Sequence, residues 1–179
     1  MVSSIDILLL GLVKADALSA YDLQKIIEDR NIAYWVQISR ASIYKKMLSL
    51  EKREYVSAKI IKNGSMPEKT IYSITEKGEL FFQNGMKELS REALRFFIDY
   101  NVVLLNMGNV EKDMQAELIQ NIENGIREFS DGIKQNAPKQ VQIPVFGEAV
   151  INQQKMLSDT MLSWIEDFTD QYKGELENE

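Results

Sequence analysis

The stretch Ser39–Lys77, SRASIYKKMLSLEKREYVSAKIIKNGSMPEKTIYSITEK, decides how the rest of the chain is organised. It reads as a capped helix followed at once by a two-stranded hairpin. Ser39 opens the helix, because its hydroxyl accepts one of the backbone N–H groups that a first turn leaves unpaired. Ile43, Met47 and Leu50 recur at i, i+4 and i+7, the spacing of a buried stripe. At about 100° per residue, Ala41, Ser42, Lys45, Ser49 and Lys52 fall on the opposite face, which is small, polar and positive and holds no acid. Small residues let a helix enter a groove, and lysines meet phosphates. Beyond the helix, Val56, Ala58 and Ile60 alternate with Ser57, Lys59 and Ile61, which predicts a strand with one wetter face. Asn63-Gly64 signals the turn, since glycine tolerates positive φ, and Ile71, Tyr72 and Ile74 form the return strand.

Around this stretch, 179 residues that are 45% hydrophobic and 27% charged make a globular protein of one or two small domains. No apolar run approaches the roughly 20 residues that cross a bilayer, so no membrane partner is expected. The opening MVSSIDILLLGLV lacks a basic n-region and a cleavage site and is not read as a signal peptide; a cytoplasmic location is expected. Without cysteine there are no disulfides, thiolate ligands or thiol nucleophiles, and without histidine the commonest metal ligand and general base are missing. The net charge of −6 is unevenly divided. Residues 1–90 hold 13 Lys+Arg against 11 Asp+Glu, whereas residues 91–179 hold 8 against 16. From Ile38 to Lys77 there are 9 basic and 4 acidic residues, so positive charge is concentrated on the helix and hairpin.

In chain order, Ser3 or Ser4 caps a first helix with Ile5, Leu8, Leu9 and Leu12 on its apolar side. Ser19-Ala-Tyr-Asp22 is a capping box that opens a second helix through Arg30, with Leu23, Ile26 and Ile27 inward. NIAYWVQI is either a short strand or a packed connection, with Trp35 expected in the core. Thr75 caps the helix that leaves the hairpin. Helix, helix, connection, helix and basic-tipped hairpin make a winged helix-turn-helix. The chain is expected to be mainly α, with residues 1–85 as the winged-helix domain and 86–179 as a helical dimerisation domain.

Three segments resemble the PadR family of bacterial transcriptional regulators. Ser19-Ala-Tyr21-Asp22-Leu23 is similar to the family's G-Y-E-L-like opening of the second helix. SRASIYKKMLSLE (39–51) resembles the S-P-G-T-L-Y-P-A-L-x-x-L-E recognition helix, and KTIYSITEKG (69–78) resembles the K-x-Y-Y-x-L-T-x-x-G wing ending. Arg40 and Lys45 stand where the family often has proline, and Lys46 where it often has alanine. The resemblance implies a homodimeric regulator, a repressor by expectation, that binds an inverted-repeat operator in double-stranded DNA. It puts Ser42, Tyr44 and Lys45 on DNA from the helix and Lys69 from the wing. Ser39, Arg40, Lys46, Lys52 and Lys62 complete the expected DNA-binding set. Tyr44 lies at the edge of the core stripe, where packing and DNA contact are equally served.

The C-terminal half is acidic and helical. Asn84-Gly85 reads as a bend, and Ser90 as the cap of a helix REALRFFIDYNVVLLN whose Leu94, Phe97, Ile98 and Leu105 need cover. A long helix follows to Gln135 with Met114, Leu118, Ile122, Ile126, Phe129 and Ile133 in register. NAPKQVQIPVFGE reads as a linker. The last helix, to about Tyr172, carries Ala149, Gln153, Met156, Leu157, Thr160, Met161, Trp164, Ile165 and Phe168 on one broad face, and GELENE reads as a frayed tail. Two such helices need each other and a second subunit, with Leu118, Ile122, Phe129, Leu157, Met161, Trp164 and Phe168 as the dimerisation residues. No phosphate-binding glycine pattern or metal-ligand spacing occurs, so no cofactor, metal or enzyme activity is expected. Trp35, Phe96, Phe97, Tyr100 and Trp164 offer surface for a small aromatic effector. The competing reading is a winged helix that binds protein as a scaffold, without DNA.

Overall fold

The computed structural model describes residues 2–62, 68–93, 97–135 and 144–177. It is mainly helical, in the order α1 (Ser4–Ala15), α2 (Ala20–Asp29), a 3-10 turn (Ile32–Tyr34), α3 (Arg40–Lys52), β1 (Val56–Ile61), β2 (Lys69–Ile74), α4 (Glu76–Leu89), α5 (Asn101–Leu105), a second 3-10 turn (Met107–Asn109), α6 (Lys112–Gln135) and α7 (Val145–Glu177). These elements form two compact units, Met1–Leu94 and Arg95–Glu179.

In the first unit the helix starts follow their capping residues. Ser19 and Asp22 form the reciprocal capping box at α2, and the Thr75 hydroxyl accepts from the Gly78 N–H at α4. Ser3 precedes α1 but makes no side-chain cap; its hydroxyl accepts from Lys46 Nζ instead. α1 is apolar nearly all round, and the side it buries is Asp6, Ile7, Leu9, Leu10 and Val13, one step from the expected stripe. Leu9, Leu10, Leu23, Ile27, Ile32, Ile43, Met47, Leu50 and Val56 then close one core. The NIAYWVQI segment forms no strand. Asn31, at φ 51°, turns the chain so that Ile32 fills the core, and Trp35 emerges 43% exposed, against expectation.

β1 and β2 pair antiparallel from Val56↔Ile74 to Ile61↔Lys69. A bridge outside the hairpin joins Leu18 to Tyr72, each backbone N–H donating to the other's carbonyl at 3.1 and 2.9 Å. The expected alternation along β1 is not realised: Val56 is buried, but Ser57, Ala58, Lys59 and Ile60 are all exposed. β2 is the covered strand, buried at Tyr72, whereas β1 beyond Val56 is the ribbon's outer edge, so its period of two has no second layer to face. The Asn63-Gly64 turn lies outside the described residues. The bend expected at Asn84-Gly85 is absent, because α4 runs unbroken to Leu89 and belongs with the first unit. Gly85 is buried where α1 crosses α4, and a Cβ there would overlap Ile7 Cδ1. Glycine costs a helix about 1 kcal/mol, which this close packing offsets. Gly78 serves the hairpin's exit likewise, since a Cβ would overlap the Tyr55 carbonyl.

In the second unit α6 and α7 pair antiparallel, with Tyr172 Oη donating to Gln115 Oε1 at 3.1 Å and Arg127 meeting Glu166 at 3.2 Å. Ile122, Ile126 and Ile165 form their core, with Val103, Leu104, Met161 and Leu162 packed on it. Tyr100, Trp164 and Phe168 stack in a ladder with centroids 5.8 and 5.9 Å apart. Several expectations fail here. Ser90 ends α4 rather than opening a helix, and α5 is little more than a turn. Phe97 and Leu105 are 83% and 85% exposed; Leu94 and Phe96 lie outside the described residues. Ile119 is buried on α6 while Met114 is exposed. Of the expected linker, residues 136–143 lie outside the described set, and Val145–Glu148 is already α7. On α7, Ala149, Gln153, Met156 and Thr160 are exposed, so the face that packs is narrower than expected. The helix also continues through Gly174 to Glu177, where a frayed tail was expected.

Candidate nucleic-acid interface

α3 is fixed at both ends. At its start Ser39 Oγ accepts from Ser42 N at 3.2 Å, while Ser42 Oγ accepts from Ser39 N at 2.9 Å and donates to Ser39 O at 2.6 Å. Both hydroxyls expected at the interface are thus engaged in a cap. Along the helix Ile43, Met47 and Leu50 are fully buried. The opposite ridge is Ala41, Lys45, Leu48 and Lys52, at i, i+4, i+7 and i+11, all exposed; Tyr44 and Ser49 flank it. The sequence reading assigned Leu48 to neither face, although the same count of about 100° per residue places it beside Ala41 on the lysine side of the helix.

The cations of this region fall into two groups. Among the described residues Lys45, Lys52 and Lys59 have no carboxylate partner. The others are paired within the unit. Arg40 Nη2 lies 2.9 Å from Glu28 Oε1, and Gln24 donates to the same oxygen at 2.9 Å. The Gln24 hydrogen bond, then Arg40, hold the Glu28 carboxyl below its ordinary range. Lys69 Nζ lies 2.8 Å from Asp22 Oδ2. Burial pushes the Asp22 carboxyl up, but the hydrogen bonds from Lys69 and Ser19 outweigh it and leave it below the ordinary value. Lys62 lies 3.7 Å from Glu68.

Lys46 turns away from the ridge. Its Nζ lies 2.8 Å from Oδ1 of Asp6, whose other oxygen meets Arg53 Nη1 at 3.1 Å. Arg53 in turn lies over the stacked Tyr55 and Phe81 rings, 4.6 and 5.0 Å from their centroids. The sequence reading missed Asp6, a buried acid on α1 that draws one cation from the body of α3 and another from its end. Its one trace is an acid inside the apolar run SIDILLLGLV. Tyr44 is half exposed, in keeping with its place at the stripe's edge. Below it, burial raises the Tyr72 phenol above its ordinary value, and Glu51 and Tyr44 add to the effect.

Of the seven expected dimerisation residues, Ile122, Met161, Trp164 and Phe168 hold α6 against α7 within the subunit. Leu118, Phe129 and Leu157 are half-buried. Among the described residues no helix is long and apolar enough to cross a membrane.

Residues 13–92 match a family model described as a winged helix DNA-binding domain. No curated protein matches the sequence. Solved structures match over nearly the whole chain. Bacillus subtilis PadR in complex with operator DNA is 15% identical with a TM-score of 0.74, covering 93% of this chain and 97% of that one. The same protein in complex with p-coumaric acid is 16% identical with a TM-score of 0.69, covering 92% and 95%. The Vibrio cholerae virulence activator AphA is 10% identical with a TM-score of 0.74, covering 96% and 99%. The chain is PadR-like in fold, a winged-helix DNA-binding domain followed by a helical unit.

Proposed function

We propose that this protein is a sequence-specific regulator of transcription that binds double-stranded DNA as a homodimer. α3 lies in the major groove and the β1–β2 ribbon follows the backbone. The observation that carries this reading is the outward ridge of α3, which presents Lys45 and Lys52 without carboxylate partners and no acid between them. Ser39, Arg40, Ser42, Tyr44, Lys46, Lys62 and Lys69 surround it. Arg40, Lys62 and Lys69 sit in exposed ion pairs, which phosphates displace at little cost. Lys46 is held back by Asp6.

A second copy covers the apolar residues that the second unit leaves open, Phe97, Leu105, Phe146 and Met156, together with the half-buried Leu118, Phe129 and Leu157. Two-fold symmetry then calls for inverted half-sites about one helical turn apart, or a multiple of it. Occupying an operator excludes other proteins from the same DNA, so we read the output as repression; a reporter gene beside the operator decides the sign. A small aromatic effector is the third partner, supported by the p-coumaric acid complex of the Bacillus relative and by the Tyr100–Trp164–Phe168 ladder.

The test is selection of bound sequences from a random duplex pool, followed by affinity against salt. We expect an inverted repeat. Lys52→Ala should weaken all sequences alike and lower the salt slope by about 1 for each phosphate left unneutralised in each subunit. Lys45→Ala should cost on the order of 1–3 kcal/mol and relax preference at one position per half-site. A pool without enrichment would favour the protein-binding scaffold instead.

A further inference from the structure

The middle of the α3 ridge is apolar, and nothing among the described residues covers it. Leu48 is 60% exposed between Lys45 and Lys52, with Tyr44 one turn before it at 50% exposure and Ala41 completing the row. A single exposed leucine needs no explanation. Leu48 and Ala41 on the outward face of this helix, with the Tyr44 ring at its flank and two lysines that have no carboxylate partner among the described residues, form a surface with a definite complement. The framing charge favours a polyanion, and the absence of any acid on the ridge disfavours a basic protein partner. A leucine side chain can neither donate nor accept, so it cannot read the hydrogen-bonding edge of a base pair. The apolar feature on the floor of the major groove is the C5 methyl of thymine.

We propose that Leu48 is a thymine reader, a specificity-determining residue that packs its isobutyl group on a thymine methyl in each half-site, with Tyr44 and Ala41 closing the contact from the side. This rests on α3 being the groove helix. It assigns the two kinds of contact to different residues: Lys45 and Lys52 fix the helix against phosphates and polar base edges, and Leu48 selects the T·A pair between them.

The test uses the full-length protein and the operator obtained by selection. Each thymine is replaced in turn by deoxyuridine, which removes the methyl and leaves pairing intact. One thymine per half-site is expected to be sensitive, with affinity falling about fourfold on removing its methyl, the size of one apolar carbon transferred from water. In Leu48→Ala the overall affinity falls and the same uridine substitution becomes neutral, because the two changes remove the same interaction. Leu48→Met, which keeps an apolar side chain of similar volume, retains the uridine effect. Because Leu48 is exposed, these variants keep the fold, and circular dichroism checks that. If the operator is bound specifically but no uridine substitution matters, the inference is wrong and the DNA-binding reading stands. An undiminished uridine effect in Leu48→Ala overturns it equally, since another residue then holds the methyl. If no sequence is selected at all, both readings fall together.

Discussion

In the first unit Leu9, Leu10, Leu23, Ile43, Met47 and Leu50 are sealed by helices on several sides and by the base of the hairpin. In the second, Ile122, Ile126 and Ile165 sit between two helices, while Phe97, Leu105, Phe146 and Met156 stand open. Both units are comparably apolar in sequence, so the contrast lies in the number of layers. A three-helix core with a ribbon closes on itself. A helix pair has one inner face and leaves its remaining apolar surface open. Even the charges follow this division: the first unit buries Asp6 beneath two cations, and the second keeps Arg127 and Glu166 exposed, with only Glu123 largely covered.

The largest test of that contrast removes the second unit. Full-length protein should sediment as a dimer and a fragment of residues 1–93 as a folded monomer. Without the second reading head, operator binding should weaken by about 10²–10⁴. A monomeric full-length chain, or a fragment that dimerises as tightly, would break the comparison. A smaller effect comes from its charges. Asp6→Ala strands Lys46 and Arg53, which are 32% and 41% exposed and so recover part of their hydration. The expected destabilisation is about 1–3 kcal/mol, below that for a fully buried pair. Arg127→Gln in the second unit should leave the denaturation midpoint unchanged. Equal midpoints for the two variants would mean that the buried cluster adds nothing to the first unit's stability.

The smallest effect is an acid titration of the Asp22–Lys69 pair. The folded state holds the Asp22 carboxyl below its unfolded value. Its contribution is therefore complete above the unfolded value and is lost as the pH falls through the folded one. As the pH falls below the ordinary carboxylate value of about 4, the wild type should lose more stability than Asp22→Asn, by less than about 1 kcal/mol for a pair this open to solvent, measured by denaturant unfolding at each pH. Parallel curves would show that the pair adds nothing to stability.

The first unit was legible because its signals are local. Capping boxes at Ser19 and a cap at Thr75, and a stripe at Ile43, Met47 and Leu50, are short-range patterns that the tertiary structure keeps. Trp35 and the α1 stripe misled because a helix apolar all round has no preferred side, and because a positive φ at Asn31 is invisible to periodicity. Asn84-Gly85 looked like a break when Gly85 was in fact a packing site for Ile7. Asp6 was hidden for the same reason: its partners lie some forty residues away. At the interface, the face of α3 was legible, but its cations could not be sorted into paired and free without knowing where Glu28, Asp22 and Asp6 sit. In the second unit the sequence named apolar residues correctly and their burial wrongly, because two helices bury only the side on which they meet and periodicity does not say how wide that side is.

The bridge between Leu18 and Tyr72 has a consequence for how tightly such a surface can grip. Leu18 immediately precedes the cap of α2, and Lys69 of β2 grasps Asp22 in that helix's first turn. The backbone bridge therefore ties the ribbon to the helix-turn-helix before any ligand arrives, and the Lys69 pair holds it there until a phosphate takes the place of Asp22. Ordering a mobile arm on binding consumes conformational entropy, on the order of 1–2 kcal/mol for each residue fixed. Here the base of the arm is already fixed, and that part of the cost falls on folding, so contacts made there pass more fully into affinity.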